Sequence, residues 1–353
     1  MGMAVASYFD DFGLIDFSGS HGLGLNYLSS LIELFGAPQS PAKRMPMASM
    51  RVYLGQVVHL GPVVVDSTVV LEPKPNSREE SADELLNMST ENKVFPARAG
   101  KVRGKIGWIA SATYGRCGRF GTGVLKKLQY SDFPVSIAHE DSIALRLLAA
   151  MILQVPPRMI KLMAPRRPSV LVYSDASWEG EARLGWIIID ENSAITPEGR
   201  TSLVTQALLD NLIVRTTQIM ACEAVAVPQA IIREPWRFAG KDVMWFIDNE
   251  AACSSMIRGS SSQEDIGIIS GVTHFLMLQH DVRIWYEWVD SKSNPADGLS
   301  RDGLGCQWTL KQGWLLSESY SLAWQELSSV VPLPLSDIGR VEVAQHDVGG
   351  VVA

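Results

Sequence analysis

Cysteine is scarce. The 353 residues hold four, Cys117, Cys222, Cys253 and Cys306, too far apart for a CxxC pair or a zinc-ligand spacing. That excludes a disulfide-stapled secreted scaffold and points to a reduced intracellular protein, cytoplasmic or nuclear and not secreted. No run of 18 or more residues is uninterruptedly apolar, so no membrane partner is expected. No basic-then-apolar leader opens the chain. Internal repeats and low-complexity tracts are missing too. What is present is the composition of a folded protein, 46% hydrophobic and 20% charged, in a chain long enough for two or three domains.

The formal net charge of −7 conceals an uneven distribution. Residues 91–130 carry nine Lys or Arg (Lys93, Arg98, Lys101, Arg103, Lys105, Arg116, Arg119, Lys126 and Lys127) against one acid, Glu91. Residues 171–302 carry nineteen acids against ten bases. A basic stripe can seat a phosphate backbone while carboxylates elsewhere hold metal ions. An ordinary solvated surface is the other meaning of such a stripe. Lys101, Arg103, Lys105, Arg116 and Arg119 are the candidate phosphate contacts.

Periodicity predicts a hairpin of strands 3–9 and 12–17 with Asp10 and Asp11 at its turn, then a helix over 22–36 ending at Gly36. Short strands are expected over 51–58 and 67–72, a helix start in the charged run from Ser77, and a helix with Asp141 as its cap. A Pro-rich basic linker lies near Ala164–Ser169. From Val170 the order becomes three strands (170–173, 184–190 and near 201–205), a helix over 216–232 interrupted or ended near Pro228, a strand 243–248, a helix 266–279 and a strand 282–289. This order makes a mixed α/β domain of about 140 residues. The tail from 311 shows Trp and Leu but no usable motif.

Four acids in this domain share a placement: Asp175 at the end of the first strand, Glu223 on an otherwise apolar helix, Asp248 at the end of a later strand, and Asp297 at the start of the last element. Each has an ordinary alternative, a turn residue for Asp175 and helix caps for Asp248 and Asp297. As a set they would meet at one sheet edge, where buried carboxylates repel unless cations sit between them. Such a site suits two Mg²⁺ ions about 4 Å apart, with Mn²⁺ as the alternative ion. One ion would activate a water for in-line attack on a phosphodiester, and the other would steady the leaving oxygen.

The pieces Tyr173-Ser-Asp-Ala-Ser, Ala221-Cys-Glu-Ala, Phe246-Ile-Asp-Asn-Glu-Ala-Ala and Trp288-Val-Asp-Ser-Lys-Ser-Asn-Pro-Ala-Asp-Gly-Leu-Ser-Arg resemble a type 1 ribonuclease H domain, in the version joined to retroelement reverse transcriptases. The resemblance covers roughly 168–303. It implies a ribonuclease H-like mixed sheet with flanking helices, and it places Asp175, Glu223, Asp248 and Asp297 on the family's metal-binding acids. The implied activity is endonucleolytic hydrolysis of the RNA strand of an RNA–DNA hybrid. The family often has a histidine in the loop before the last acid; this chain offers His274 and His280, which fall on or just after the predicted helix. Although His280 beside Asp281 is the better placed, both read as surface or packing residues.

Upstream, Tyr8-Phe-Asp-Asp-Phe resembles the paired-aspartate hairpin of a reverse transcriptase palm, and Tyr53-Leu-Gly resembles that family's primer-grip approach. This gives an expected organisation of 1–75 truncated palm, 76–163 thumb or connection, 168–303 ribonuclease H-like domain and 304–353 tail. Only seven residues precede Tyr8, which leaves no room for the fingers or the family's first palm aspartate, so Asp10 and Asp11 are expected to be a vestigial pair. RNA-directed polymerisation is therefore not expected, and the missing polymerase portion or an intact polymerase subunit becomes a candidate partner. A 3′–5′ exonuclease of the same general fold would resemble Asp-x-Glu on the first strand, but Ser177 stands at the second acid's position. The non-catalytic alternative is an inert retroelement relic or a nucleic-acid-binding scaffold.

Overall fold

The computed structural model describes residues 4–8, 11–16, 18–37, 39–41, 44–113, 116, 118–163, 166–190 and 196–331. Its backbone contacts divide the chain into two compact units. One is Met1–Ser81 with Gly104–Gly115 and Val155–Arg166; the other is Ala82–Arg103 with Arg116–Gln154 and Arg167–Ala353. Among the described residues no helix is long and apolar enough to cross a membrane.

In the first unit, β1 (Ala4–Tyr8) and β2 (Asp11–Ile15) form the expected antiparallel hairpin, with Tyr8 opposite Asp11. Asp10 lies outside the described residues. Asp11 opens β2. The expected helix follows as α1 (Leu23–Leu34). The stretch expected as strand 51–58 is two strands, β3 (Met50–Tyr53) and β4 (Gln56–His59). Leu54 and Gly55 both take positive φ, 50° and 75°, so they make a two-residue hairpin turn with the twist that antiparallel strands favour. After α2 (Gly61–Asp66), β5 (Thr68–Pro73) extends this sheet, and β6 (Arg158–Lys161) completes the order β3-β4-β5-β6.

The middle of the chain is helical: α3 (Ser77–Thr90), α4 (Pro96–Ser111), α5 (Arg119–Gln129) and α6 (His139–Gln154). Asp141 lies inside α6 rather than capping it, and its carboxylate takes Lys127 Nζ at 2.8 Å. On α5, Phe120, Leu125 and Leu128 are buried while Lys126 and Lys127 sit in the last turn.

The second unit is organised by a six-stranded sheet. Its first five strands are β7 (Ser169–Ser177), β8 (Arg183–Asp190), β9 (Glu198–Leu203), β10 (Asp242–Ile247) and β11 (Arg283–Trp288). The first three form an antiparallel meander, whereas β10 runs parallel to both β7 and β11. Parallel neighbours need long crossovers, and the chain supplies them as helices. The segment α7 (Gln206–Leu209), α8 (Ile219–Arg233) and α9 (Pro235–Phe238) leads into β10, and α10 (Glu250–Arg258) with α11 (Glu264–Gln279) leads into β11. Three strands, a helical segment, a strand, a helical segment and a strand is the expected α/β order, a mixed sheet with flanking helices.

Residues Ala221 to Ile231 of α8 are all buried, so the helix is enclosed on every side, and Glu223 and Gln229 are the polar residues in that run. It runs through Pro228 to Arg233 and corrects the expected interruption there. Alternation along the strands puts Val172, Trp186, Ile188 and Trp245 on one buried face. Ile187 on the opposite face packs with Ala296, Leu299 and Cys306. These last belong to or flank α12 (Asp297–Asp302), which is followed by α13 (Gln307–Lys311). The tail is then used twice: β12 (Leu315–Glu318) joins the sheet parallel to β9, and α14 (Trp324–Ser329) pins Arg233 through Glu326 at 2.8 Å.

Gly185 is where α12 meets the sheet. A methyl group there would lie 2.6 Å from Ser300 N and 2.7 Å from Leu299 Cβ. Gly185→Ala is expected to destabilise the protein by about 1–3 kcal/mol. At roughly 2–4 °C per kcal/mol, a melting curve should fall by several degrees.

Candidate metal centre

The parallel register of β7 and β10 pairs Ser174 with Ile247. The next residue on each strand is an acid, Asp175 and Asp248. Two carboxylates are thereby brought side by side by backbone geometry alone. β7 continues to Ser177, so Asp175 does not end the strand but pairs within it opposite Gly185. Asp248 follows β10 directly. The cap of α10 is its neighbour Asn249, whose side chain accepts from Ala252 N at 3.1 Å. This corrects the capping alternative for Asp248. Trp288 Nε1 donates to the Asp248 carbonyl at 2.8 Å and ties the end of β10 to β11.

Glu223 comes from α8 and is 2% exposed. Its Oε1 accepts the Ala176 N–H at 2.9 Å, whereas Oε2 is buried without a hydrogen-bond partner. One carboxylate oxygen from each of Asp175, Glu223 and Asp248 lies within 4.8 Å of the others. Asp297 lines the same cavity but stands outside this cluster, at the first residue of α12, and pairs with Arg301 Nη2 at 3.0 Å. Its N-cap position is taken by Ala296, so Asp297 is not the cap.

Burial pushes the Asp175 carboxyl up to about 7, against the pull of the Ser300 hydroxyl, and the charges of Asp248 and Asp297 push it further the same way. Burial also holds Glu223 well above the usual carboxylate range, with Asp175 and Asp248 adding to it and the Ala176 N–H opposing. Two buried acids with raised proton affinity, one of them carrying an orphaned oxygen, stand beside the carboxylate of Asp248, and together they match a site for a positive charge. The donors are all oxygen, which suits a hard divalent cation.

Sequence reasoning missed the residues that fix this centre. Ser300 donates its hydroxyl to Asp175 Oδ2, and Asn294 Nδ2 donates to the Ser174 carbonyl at 3.0 Å. Both sit in the stretch Asn294-Pro-Ala-Asp-Gly-Leu-Ser, in which the sequence pattern singles out only Asp297 as a metal ligand. His274 is a packing residue, as expected: its Nε2 lies 2.8 Å from the Met256 carbonyl, and burial pushes it down to about 4. His280 caps the C-terminus of α11. Lys101, Lys105, Arg116 and Arg119 are exposed. Arg103 is partly buried, bonded to Gln129 Oε1 at 2.8 Å and lying over the Tyr130 ring.

No family model matches the chain, and no curated protein matches it. Among solved structures it is similar to RNase H1 from the archaeon Halobacterium salinarum NRC-1, at 18% identity over 38% of this chain and 97% of that one, with a TM-score of 0.28. It is also similar to the N-terminal RNase H domain of a Mycobacterium tuberculosis protein, at 17% identity over 39% and 94%, with a TM-score of 0.28. The foamy viral protease-reverse transcriptase in complex with an RNA/DNA hybrid is matched at 12% identity, over 83% of this chain but 36% of that one, with a TM-score of 0.29. At these scores the fold class rests on the strand order and register described above.

The raised Asp175 carboxyl fixes a sign for pH dependence. Between about pH 4 and 7 the folded protein binds a proton there that the unfolded chain has lost, so metal-free stability falls as pH rises across that window. Metal-free melting temperatures at pH 5 and pH 8 should differ by several degrees more in the wild type than in Asp175→Asn. Added Mg²⁺ should narrow the wild-type difference.

Proposed function

We propose that this chain hydrolyses the RNA strand of RNA–DNA hybrids endonucleolytically with two divalent metal ions, as the ribonuclease H-like part of a retroelement reverse transcriptase acting inside the cell. The observation that carries this reading is the meeting of Asp175 from within β7, Asp248 from just after β10 and Glu223 from α8, within 4.8 Å. The motif resemblance of residues 168–303 supports it. On this reading residues 1–75 are palm-like, 76–163 thumb- or connection-like with Lys101, Arg103, Lys105, Arg116 and Arg119 toward phosphates, and 304–353 the tail.

Asp175, Glu223 and Asp248 would hold the ions, with Asp297 joining from the cavity wall. Bound Mg²⁺ or Mn²⁺ supplies the positive charge that lowers the pKa of a water and stabilises the phosphodiester transition state. The residues' own work is positioning. The Ala176 N–H fixes one oxygen of Glu223, Ser300 fixes one of Asp175, and Trp288 fixes the backbone of Asp248. Thr217, Asn249 and Ser291 line the cavity with neutral hydrogen-bonding groups. These groups can meet ribose 2′-hydroxyls, the feature that separates an RNA strand from DNA. The second reading is a non-catalytic nucleic-acid scaffold. The ion pair that occupies Asp297 with Arg301 favours it.

A strand-labelled RNA–DNA hybrid with Mg²⁺ tests the two. The wild-type chain is expected to cut only the RNA strand, and Asp248→Asn to lose activity by about 100-fold or more. A folded wild type that binds the hybrid and cuts neither strand would establish the scaffold.

A further inference from the structure

Ser300 is fully buried, and its hydroxyl oxygen lies within hydrogen-bond distance of two acceptors, Asp175 Oδ2 and the Asp297 carbonyl at 2.8 Å. A hydroxyl has one proton to give. The bond to Asp297 is the ordinary back-bond of a serine to a carbonyl three residues earlier in its helix. The bond to Asp175 crosses 125 residues of sequence and is charge-assisted, so the ionised carboxylate is the stronger acceptor.

The main chain of Ser300 is held as well. Ser177 Oγ donates to its carbonyl at 2.5 Å, and the bare α-carbon of Gly185 faces its N–H. One residue earlier, Thr201 Oγ1 shares its proton between the Leu299 carbonyl at 3.1 Å and the Leu184 carbonyl at 3.2 Å. Ser300 is therefore clamped before it offers its proton. One helix links the first and fourth acids: Asp297 opens α12, and Ser300, in the same helix, grips Asp175.

Resting on the metal-site reading above, we propose that Ser300 is a positioning residue of the centre. Its hydroxyl engages Asp175 Oδ2, fixes the rotation of that carboxylate, and so presents the other oxygen to the divalent ion. Groups that orient metal ligands in this way set affinity as well as geometry.

The test is Mn²⁺ binding to the full chain by titration calorimetry, with hybrid cleavage measured alongside. Wild type is expected to bind and Asp248→Asn not to. Ser300→Ala should raise the Mn²⁺ dissociation constant about tenfold. It should raise the Mg²⁺ concentration for half-maximal cleavage by a similar factor, with the KM for hybrid unchanged. Thr201→Val removes a docking bond of α12 without touching Asp175 and should stay within about twofold of wild type. Ser300→Cys keeps a weak donor and should fall between wild type and alanine, and it decides the matter if the alanine variant does not fold. Equal shifts in Ser300→Ala and Thr201→Val, or no shift in Ser300→Ala and Ser300→Cys, would overturn the proposal while leaving the metal site standing. A wild type that binds no Mn²⁺ would overturn both.

Discussion

Three carboxylates within 4.8 Å, two of them buried, are the constraint on which the rest of the second unit depends. Charges that close cannot all ionise in a low-dielectric pocket without a cation or a proton between them. The protein nevertheless builds the arrangement from rigid parts. Parallel pairing of β7 and β10 fixes two of the acids, and the wholly buried helix α8 fixes the third. None of the three rides on a flexible surface loop. The sheet therefore holds a cost in the metal-free state, in the manner of sites kept for function rather than stability.

The short helix α12 is held with comparable care. Its six residues could not persist alone. Leu299 and the preceding Ala296 bury against Ile187, and side chains of Ser177 and Thr201 donate to its carbonyls. Gly185 leaves the space that lets it lie on the sheet. The loop before it is fastened by Asn294, which donates to Ser174 and accepts from Ala296 N. Order around the acids thus comes from side-chain to backbone bonds between distant segments.

Much of this was legible in sequence. Local periodicity located β7 to β11 and the helices α8 and α11, and an acid amid the apolar residues of Met220-Ala-Cys-Glu-Ala-Val marked Glu223 as a residue with a task. What was not legible is non-local. Strand lengths depend on pairing partners, so β7 extends past Asp175 because β8 pairs with it as far as Arg183. Pro228 reads as a helix breaker only where no packing compensates, and in α8 every neighbour is buried. The role of Asn249 rather than Asp248 as cap turns on one residue of phase. β12 had no signal because its strand character comes from the free edge of β9. Ser300 is an unremarkable serine until the fold sets it against Asp175.

The most direct test of the central claim is anomalous diffraction from a crystal of the protein grown with Mn²⁺. A peak bounded by the carboxylates of Asp175, Glu223 and Asp248 is the expected result. Ordered protein with no peak there at saturating Mn²⁺ would contradict the reading of these acids as a metal centre.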